Sequence, residues 1–564
     1  MVMTAETAIP VTEQTAIVIP AEATTTERYA AKELQDYLFE IGGVELSVVT
    51  DDRGPTTTEI CVGETNRFKG AWEKPKLYND GYWLYTSENK VLHILGDGDR
   101  GVLYGVYGAL REIWDCEFYA KDVEDIPKRD QLYYPYLVDG QLFSVVSNPA
   151  FEFRDNNWVA GMGADIAAKL GYNGFASLYG DEQGGAISYG AGFVHTMHDY
   201  VEPDRYFDSH PEYFAMAPDG SRVTGQLCLS NPEVYEIALK KLKQNIALNP
   251  RAKIFSVSQC DNYDYCHCPE CTAIDREEGS HSGTLIRFVN KLANAIAEEH
   301  PDVIIDTLAY QWSRVPCQTP PAENVAIRFC TIEACFSHPL RDCTAISKNF
   351  VGRVGDTTMQ QDLEGWGKFC DRIYIWDYCT DFAHYLMTFP NLGIMQEDIQ
   401  YFRDHAAAGI FEEGNYQDAS GEFGELRAYL FGKLLWDPDG DYYAWMRNFL
   451  KAYYGDGAYE VGRFIQEVSD YVRDNGVHVS IYDSPLQGHL TEDMLRRALA
   501  GFNHGIELME GNAAVQDNIA RSRLQILYDL TYMPNAGTGT ERVDWMSTYM
   551  KDLKRFNIKK IKEG

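Results

Sequence analysis

Carboxylates, amides and aromatic rings recur at the carboxyl ends of apolar runs in this chain. KIFSVSQCD (253–261) ends on Gln259 and Asp261, with Asn262 next. VAIRFCTIE (325–333) ends on Glu333, and GIFEEGN (409–415) carries Glu412, Glu413 and Asn415. IIDTLAYQW (304–312) supplies Tyr310 and Trp312; RIYIWDYC (372–379) supplies Trp376, Asp377 and Tyr378. FEFRDNNW (151–158) offers Arg154 and Asp155, and GFVHTMHDY offers His195 and His198. Any one of these carboxylates is as well explained by a rim salt bridge or a helix cap. Several around one rim, with Trp and Tyr between them, suit cleavage of a glycosidic bond. That reaction needs a proton donor for the leaving oxygen and a second group to stabilise or trap an oxocarbenium-like centre. Asp261, Glu333 and Glu412 are among the carboxylates that could take these roles. Arg154, His195, Gln259, Asn262, Tyr310, Trp312, Trp376, Asp377, Tyr378 and Asn415 are the candidate substrate contacts.

A second cluster has metal-like density. Cys266, Cys268 and Cys271 lie in one short loop with His267 inside it, and Cys260 precedes them. Structural zinc takes four ligands, commonly as two separated pairs, and no second pair is evident. Cys260, His267 and His281 are the candidates for a fourth ligand. A disulfide or free thiols is favoured over zinc, and no cofactor or metal is expected at the reacting centre.

The elements that must position these groups follow from periodicity. Residues 15–140 read as a small α/β domain: strands TAIVIP, ELSVV, EICVG, GYWLYT and KVLHIL, a helix from Thr26 to Ile41, and a second helix over VLYGVYGALREIW. Gly96, Gly98 and Gly101 spell G-x-G-x-x-G, but Asp97 and Asp99 would repel a pyrophosphate. No βαβ unit with a ribose-binding acid follows, so a tight strand-to-helix turn is expected. From about residue 148, eight apolar runs alternate with helical segments. To the six above are added YNGFASL (172–178) and QLCLSN (226–231), and together they predict a (β/α)8 TIM-type barrel. The connection over 179–225 is too long for a simple crossover and is expected to wall or cover the cleft. Beyond Glu422 the pattern is helical. The expected division is an α/β domain over 1–145, the barrel over 146–435 and a helical domain over 436–564.

The bulk properties narrow the classes. The formal net charge is -34, which repels nucleic acid. No apolar run is long enough to span a bilayer, so no membrane partner is expected. MVMTAETAIPVTEQ lacks a basic start and an apolar core, so the chain as written reads as cytoplasmic; it is secreted or surface-bound if a leader has been removed. A glycan or glycoprotein substrate fits these limits, and the oligomeric state is open.

SVSQCDNYDYCHCPECTAIDREEGSHSGTLIRFVN, IRFCTIEACFSHPL, IYIWDY and GIFEEGNYQDASGEFGELRAYLFGKLLWDP together resemble glycoside hydrolase family 163. AAKELQDYLFEIGGVELSVV and DRGVLYGVYGALREI resemble the small domain that precedes α-glucuronidase and β-hexosaminidase barrels. The resemblance covers roughly residues 15–455. It implies a retaining endo-β-N-acetylglucosaminidase that cuts the chitobiose core of N-glycans, with the substrate's own acetamide as nucleophile. Glu333 would then be the acid/base and Asp261 the acetamide-polarising group, with Glu412 the rival for either role. Two positions depart from the family: Cys260 stands where Asn is expected, and Glu413 where Gln is expected. The alternatives are an exo-acting β-hexosaminidase, an α-glucuronidase-like enzyme and a non-catalytic glycan-binding protein. A uronidase would need a cation at the rim, and Arg154 is the only basic residue found at a strand end.

Overall fold

A computed structural model describes residues 7–68, 74–345, 357–419, 422–534 and 536–564. The N-terminal part is a six-stranded sheet in the order Ser144–Ser147, Tyr82–Thr86, Leu92–Gly96, Thr58–Val62, Thr15–Ile19, Ser47–Thr50. Helices Thr25–Gly42 and Gly98–Trp114 pack on it. Thr24 and Glu27 form a capping box that starts the first helix. The G-x-G-x-x-G is a tight turn, since a Cβ at Gly96 would lie 2.1 Å from the Gly101 backbone.

The second sheet carries the candidate site. Its strands are Phe153–Asn156 (β1), Ile254–Ser256 (β2), Ile304–Ala309 (β3), Val325–Cys330 (β4), Ile373–Tyr378 (β5) and Ala407–Glu413 (β6). All pairs are parallel, in the order β1-β6-β5-β4-β3-β2. Ile305, Ile327, Phe329, Ile375 and Ile410 point outward and pack into the main core with the surrounding helices. Phe153, Ile254, Ala326, Tyr374 and Phe411 point inward as a separate cluster. This alternation of period two decides which acids face the interior.

Two of the eight expected strands do not form, and the sheet is a curled half-barrel. YNGFASL begins beside β1, where the Asn173 and Gly174 N–H groups donate to the Arg154 carbonyl at 2.9 and 3.2 Å. The Asn173 side chain then accepts the Arg154 N–H at 2.8 Å, taking the place of a ladder partner. Asp155 accepts the Ala176 N–H at 3.2 Å and holds Phe175–Ser177 as a 3-10 turn. QLCLSN fails for another reason. Its first two residues, Gln226 and Leu227, end the strand Arg222–Leu227, which pairs antiparallel with Phe214–Met216 as a separate hairpin. Irregular chain crosses the gap: Ile187 N–H donates to Asn173 O and Gly190 N–H to Ile254 O, each at 2.8 Å.

Helices Pro232–Leu248, Ser282–Ile296, Met359–Gly367 and Met395–Asp404 fall between the strands, and Gly424–Trp436 follows the last of them. Five more helices then run from Tyr442–Tyr454 to Gly539–Arg555 among the described residues. Between them, the segment around 479–481 reaches back to the barrel, where Phe336 N–H donates to Val479 O and Phe382 N–H to Ile481 O. Among the described residues no helix is long and apolar enough to cross a membrane.

Candidate active site

At the carboxyl ends of β2 to β6 several of the expected residues converge. Glu333 lies just past β4 and is wholly buried, yet neither carboxylate oxygen has a hydrogen-bond partner. Its nearest cation is Arg314, whose Nη1 is 3.6 Å away and also lacks a hydrogen bond. Arg314 is held by Asp362 at 2.6 Å and the Thr357 carbonyl at 2.8 Å. Burial pushes the Glu333 carboxyl up to about 7, against the pull of Arg314. Buried polar atoms are almost always paired, so a carboxylate left open on both oxygens is available to a ligand.

Asp261 is exposed beyond β2 and accepts hydrogen bonds from Tyr310 Oη and Gln311 Nε2, both at 3.1 Å. Tyr310 stands between the two acids. Burial, and then the charges of Asp261, Cys330 and Glu333, push its hydroxyl well up. The turn that presents it is fixed from below: Gln259 Nε2 donates to Ser313 Oγ at 2.6 Å, and that hydroxyl donates to the Leu308 carbonyl at 2.9 Å. Gln311 sits at φ 52, in the left-handed region a non-glycine residue rarely adopts. His195, also left-handed at φ 58, comes from the long 179–225 connection; its Nδ1 is 2.8 Å from the Gln259 carbonyl. That connection therefore walls the cleft, with Phe193 stacked on Trp376 at 5.2 Å.

Trp376 and Tyr378 line the interior side by side, ring centroids 6.0 Å apart. The Trp376 indole donates to Glu413 at 2.7 Å, and burial pushes Glu413 up to about 8. The charges of both Glu413 and Glu333 act on Tyr378. Trp312 borders a hollow of 600 Å³ shared with Tyr263, Tyr265, His281 and Gln311. A larger cavity of 1790 Å³ lies at the other end of the strands, lined by Glu152, Lys253, Ile304, Asn324 and Arg372. Barrel chemistry sits at strand carboxyl ends, and the smaller hollow shares Gln311 and Trp312 with the candidate site, while Asp261, Glu333, Trp376 and Tyr378 lie outside its lining.

The remaining expected residues lie elsewhere. Glu412 faces the back of the sheet, where it is fully buried and accepts the Cys379 thiol at 2.9 Å. Asp377 shares that side and accepts from Thr331 Oγ1 at 2.6 Å. Burial and the charge of Asp377 push Glu412 well up. Strand parity is the reason: with Phe411 inward, Glu413 is inward and Glu412 outward. Arg154 is also on the outer face. It bonds the carbonyls of Gly171, Asn79 and Phe151 and pairs with Asp80 at 3.2 Å, joining the barrel to the N-terminal sheet. Asn262 is tied to Gly225 and Gln226, and Asn415 caps the turn at Gln417 and Asp418. The sequence reading passed over Gln311 and Arg314. Gln311 lies between two named aromatics, but nothing in the chain marked Arg314, which precedes Glu333 by 19 residues and meets it only through the fold.

The cysteine loop differs from expectation in its fourth member. Cys228 joins Cys266, Cys268 and Cys271, whereas Cys260, His267 and His281 do not. Every cysteine is a free thiol, the second of the two alternatives expected for the loop.

No curated protein matches the sequence. A model of the glycosyl hydrolase family 67 N-terminus matches residues 4–108. Among solved structures, a family GH115 4-O-methyl-α-glucuronidase with specificity for decorated arabinogalactans aligns at 13% identity. Its TM-score is 0.58, covering 97% of this chain and 77% of that one. A family 89 glycoside hydrolase from Clostridium perfringens, in complex with PUGNAc, aligns at 11% identity and TM-score 0.47, covering 94% and 65%. These likenesses are of fold. The family model that matches residues 118–466, well over half the chain, is described as a domain of unknown function, and the chain belongs to that family, DUF4838.

Proposed function

We propose that this chain is a glycoside hydrolase with Glu333 as its general acid. The observation that carries the reading is the Glu333 carboxyl itself: buried, unpaired on both oxygens, and near enough to Tyr310 and Tyr378 for its charge to act on both. A proton donor of this kind must reach the leaving oxygen unencumbered by protein partners. Asp261, oriented by Tyr310 and Gln311, is the second group. Its role would be to polarise a 2-acetamido group, and Glu413 takes the place of Glu412 as the third acid on the interior face. The shared fold with a GH115 enzyme and the family 67 N-terminal match support the hydrolase class.

The finer reading is a retaining endo-β-N-acetylglucosaminidase acting on N-glycans by substrate assistance. It rests on the resemblance of the Asp261 and Glu333 segments to glycoside hydrolase family 163. Incubation with an N-glycoprotein, followed by mass spectrometry, is expected to show glycan released one GlcNAc short and that GlcNAc left on Asn. Loss of terminal sugars alone would overturn the endo reading. Release of uronic acid from a decorated polysaccharide would favour the glucuronidase alternative. Among the described residues Arg314 is the one cation paired with a carboxylate of the cleft. No activity on any glycan, with the fold intact, would leave the glycan-binding alternative.

A further inference from the structure

We propose that the chain holds two structural zinc ions. One would sit among Cys228, Cys266, Cys268 and Cys271, the other among Cys335, His338, Cys343 and His478. In each group all four donor atoms lie within 4.8 Å of one another.

The first group joins two separate elements. Cys228 follows the strand Arg222–Leu227, and the other three come from the loop and helix Pro269–Glu278. Cys228 and Cys268 have their sulfurs 3.7 Å apart. That is far longer than a disulfide, at about 2.05 Å. It matches the edge of a tetrahedron drawn around zinc with Zn–S bonds of about 2.3 Å, which is about 3.8 Å. The surroundings suit thiolates. The Met216 N–H donates to Cys266 Sγ at 3.3 Å, and the Cys271 N–H to Cys268 Sγ at 3.4 Å. Cys268 caps the start of its helix, where the helix dipole favours negative charge. The apolar neighbours of the four thiols are Ala215, Met216 and Val223, in a cluster detached from the main core, and the Ser230 hydroxyl lies 3.2–3.6 Å from three of the sulfurs. A bound ion would give this small cluster the cross-link that its apolar area does not provide.

The second group stands on its own distances. His478 Nδ1 lies 3.3 Å from Cys335 Sγ and 3.6 Å from Cys343 Sγ, and His338 Nδ1 lies 3.4 Å from Cys335 Sγ. Zinc with two sulfurs and two imidazole nitrogens has edges of about 3.3–3.8 Å. Cys335 is two residues beyond Glu333, while His478 follows the helix Ala458–Asn475. The ion would tie the loop after the candidate acid to the C-terminal helices. Both sets contribute four protein ligands and leave no open position, which marks a structural rather than a catalytic site.

Elemental analysis of the full chain, purified without chelator, is expected to give two zinc per molecule. X-ray absorption should show an average shell of about three sulfurs and one nitrogen per zinc, the mean of the two ligand sets. Cys268→Ser and His478→Ala should each lose one zinc, and the double variant both. Metal content of the unaltered chain decides the matter even if a variant misfolds. Zinc-free protein whose non-reduced mass reveals disulfides would overturn the proposal, as would iron in place of zinc. One zinc lost only in Cys268→Ser would overturn the second site, and one lost only in His478→Ala the first.

Discussion

Glu412 and Glu413 are joined by a peptide bond and share almost nothing else. Glu412 lies behind the sheet, where burial and then the charge of Asp377 push its carboxyl well up. Glu412→Gln is therefore close to an isosteric exchange. It should leave kcat/KM within about twofold and change stability by about 1 kcal/mol or less, read from turnover and a urea titration. Glu333→Gln should lower kcat by roughly 10²–10⁴-fold with the unfolding midpoint unchanged, the range for losing a general acid. Tyr310→Phe should weaken the hold on Asp261. A fall in kcat of about 10–100-fold is expected, in line with one hydrogen bond to a charged group. Unchanged turnover in both Glu333→Gln and Tyr310→Phe would place the chemistry elsewhere. The acids themselves were legible in the sequence because each ends an apolar run. Their facing was not, because the parity of a strand is set by its neighbours. In a run buried on both sides, such as IIDTLA or VAIRFC, no alternation shows which residue looks inward.

The open side of the half-barrel turns on Asn173. Its side chain accepts the Arg154 N–H and donates to Asp80 and to the Glu152 carbonyl, each of the last two at 2.8 Å. Asn173→Ala leaves three buried polar groups short of a partner. A loss of about 2–4 kcal/mol in unfolding free energy is expected, and a cost below about 0.5 kcal/mol would show that water replaces the amide. Six of the eight expected strands are present. The two that fail were misread because short apolar runs carry no signal for their partners. In YNGFASL the Asn-Gly pair was the clue that the chain turns. In QLCLSN the first two residues finish the strand 222–227, which forms a hairpin with 214–216 instead of entering the sheet. The helix Pro269–Glu278 was also missed, since its first turn reads as a cysteine loop until Cys268 is seen to cap it.

Across the whole molecule, a buried charge network ties the N-terminal sheet to the barrel. Asp80 pairs with Arg100 at 2.9 Å and with Arg154 at 3.2 Å. Burial would raise its carboxyl, but the two guanidinium groups prevail and hold it below the usual value. Its contribution is therefore complete above the unfolded aspartate value, near pH ~4, and is lost as pH falls through the lower folded value. The urea midpoint of the unaltered chain should drop on acidification below pH ~4. That of Asp80→Asn should start lower and drop less. Parallel curves would remove Asp80 from the account. The same junction encloses the cavity of 1790 Å³ that opens at the starts of the strands, away from Glu333. In a search for inhibitors, fragments would collect first in this roomier polar chamber. They would raise the melting temperature without slowing turnover, so hits ranked by thermal shift alone would select for the wrong end of the barrel.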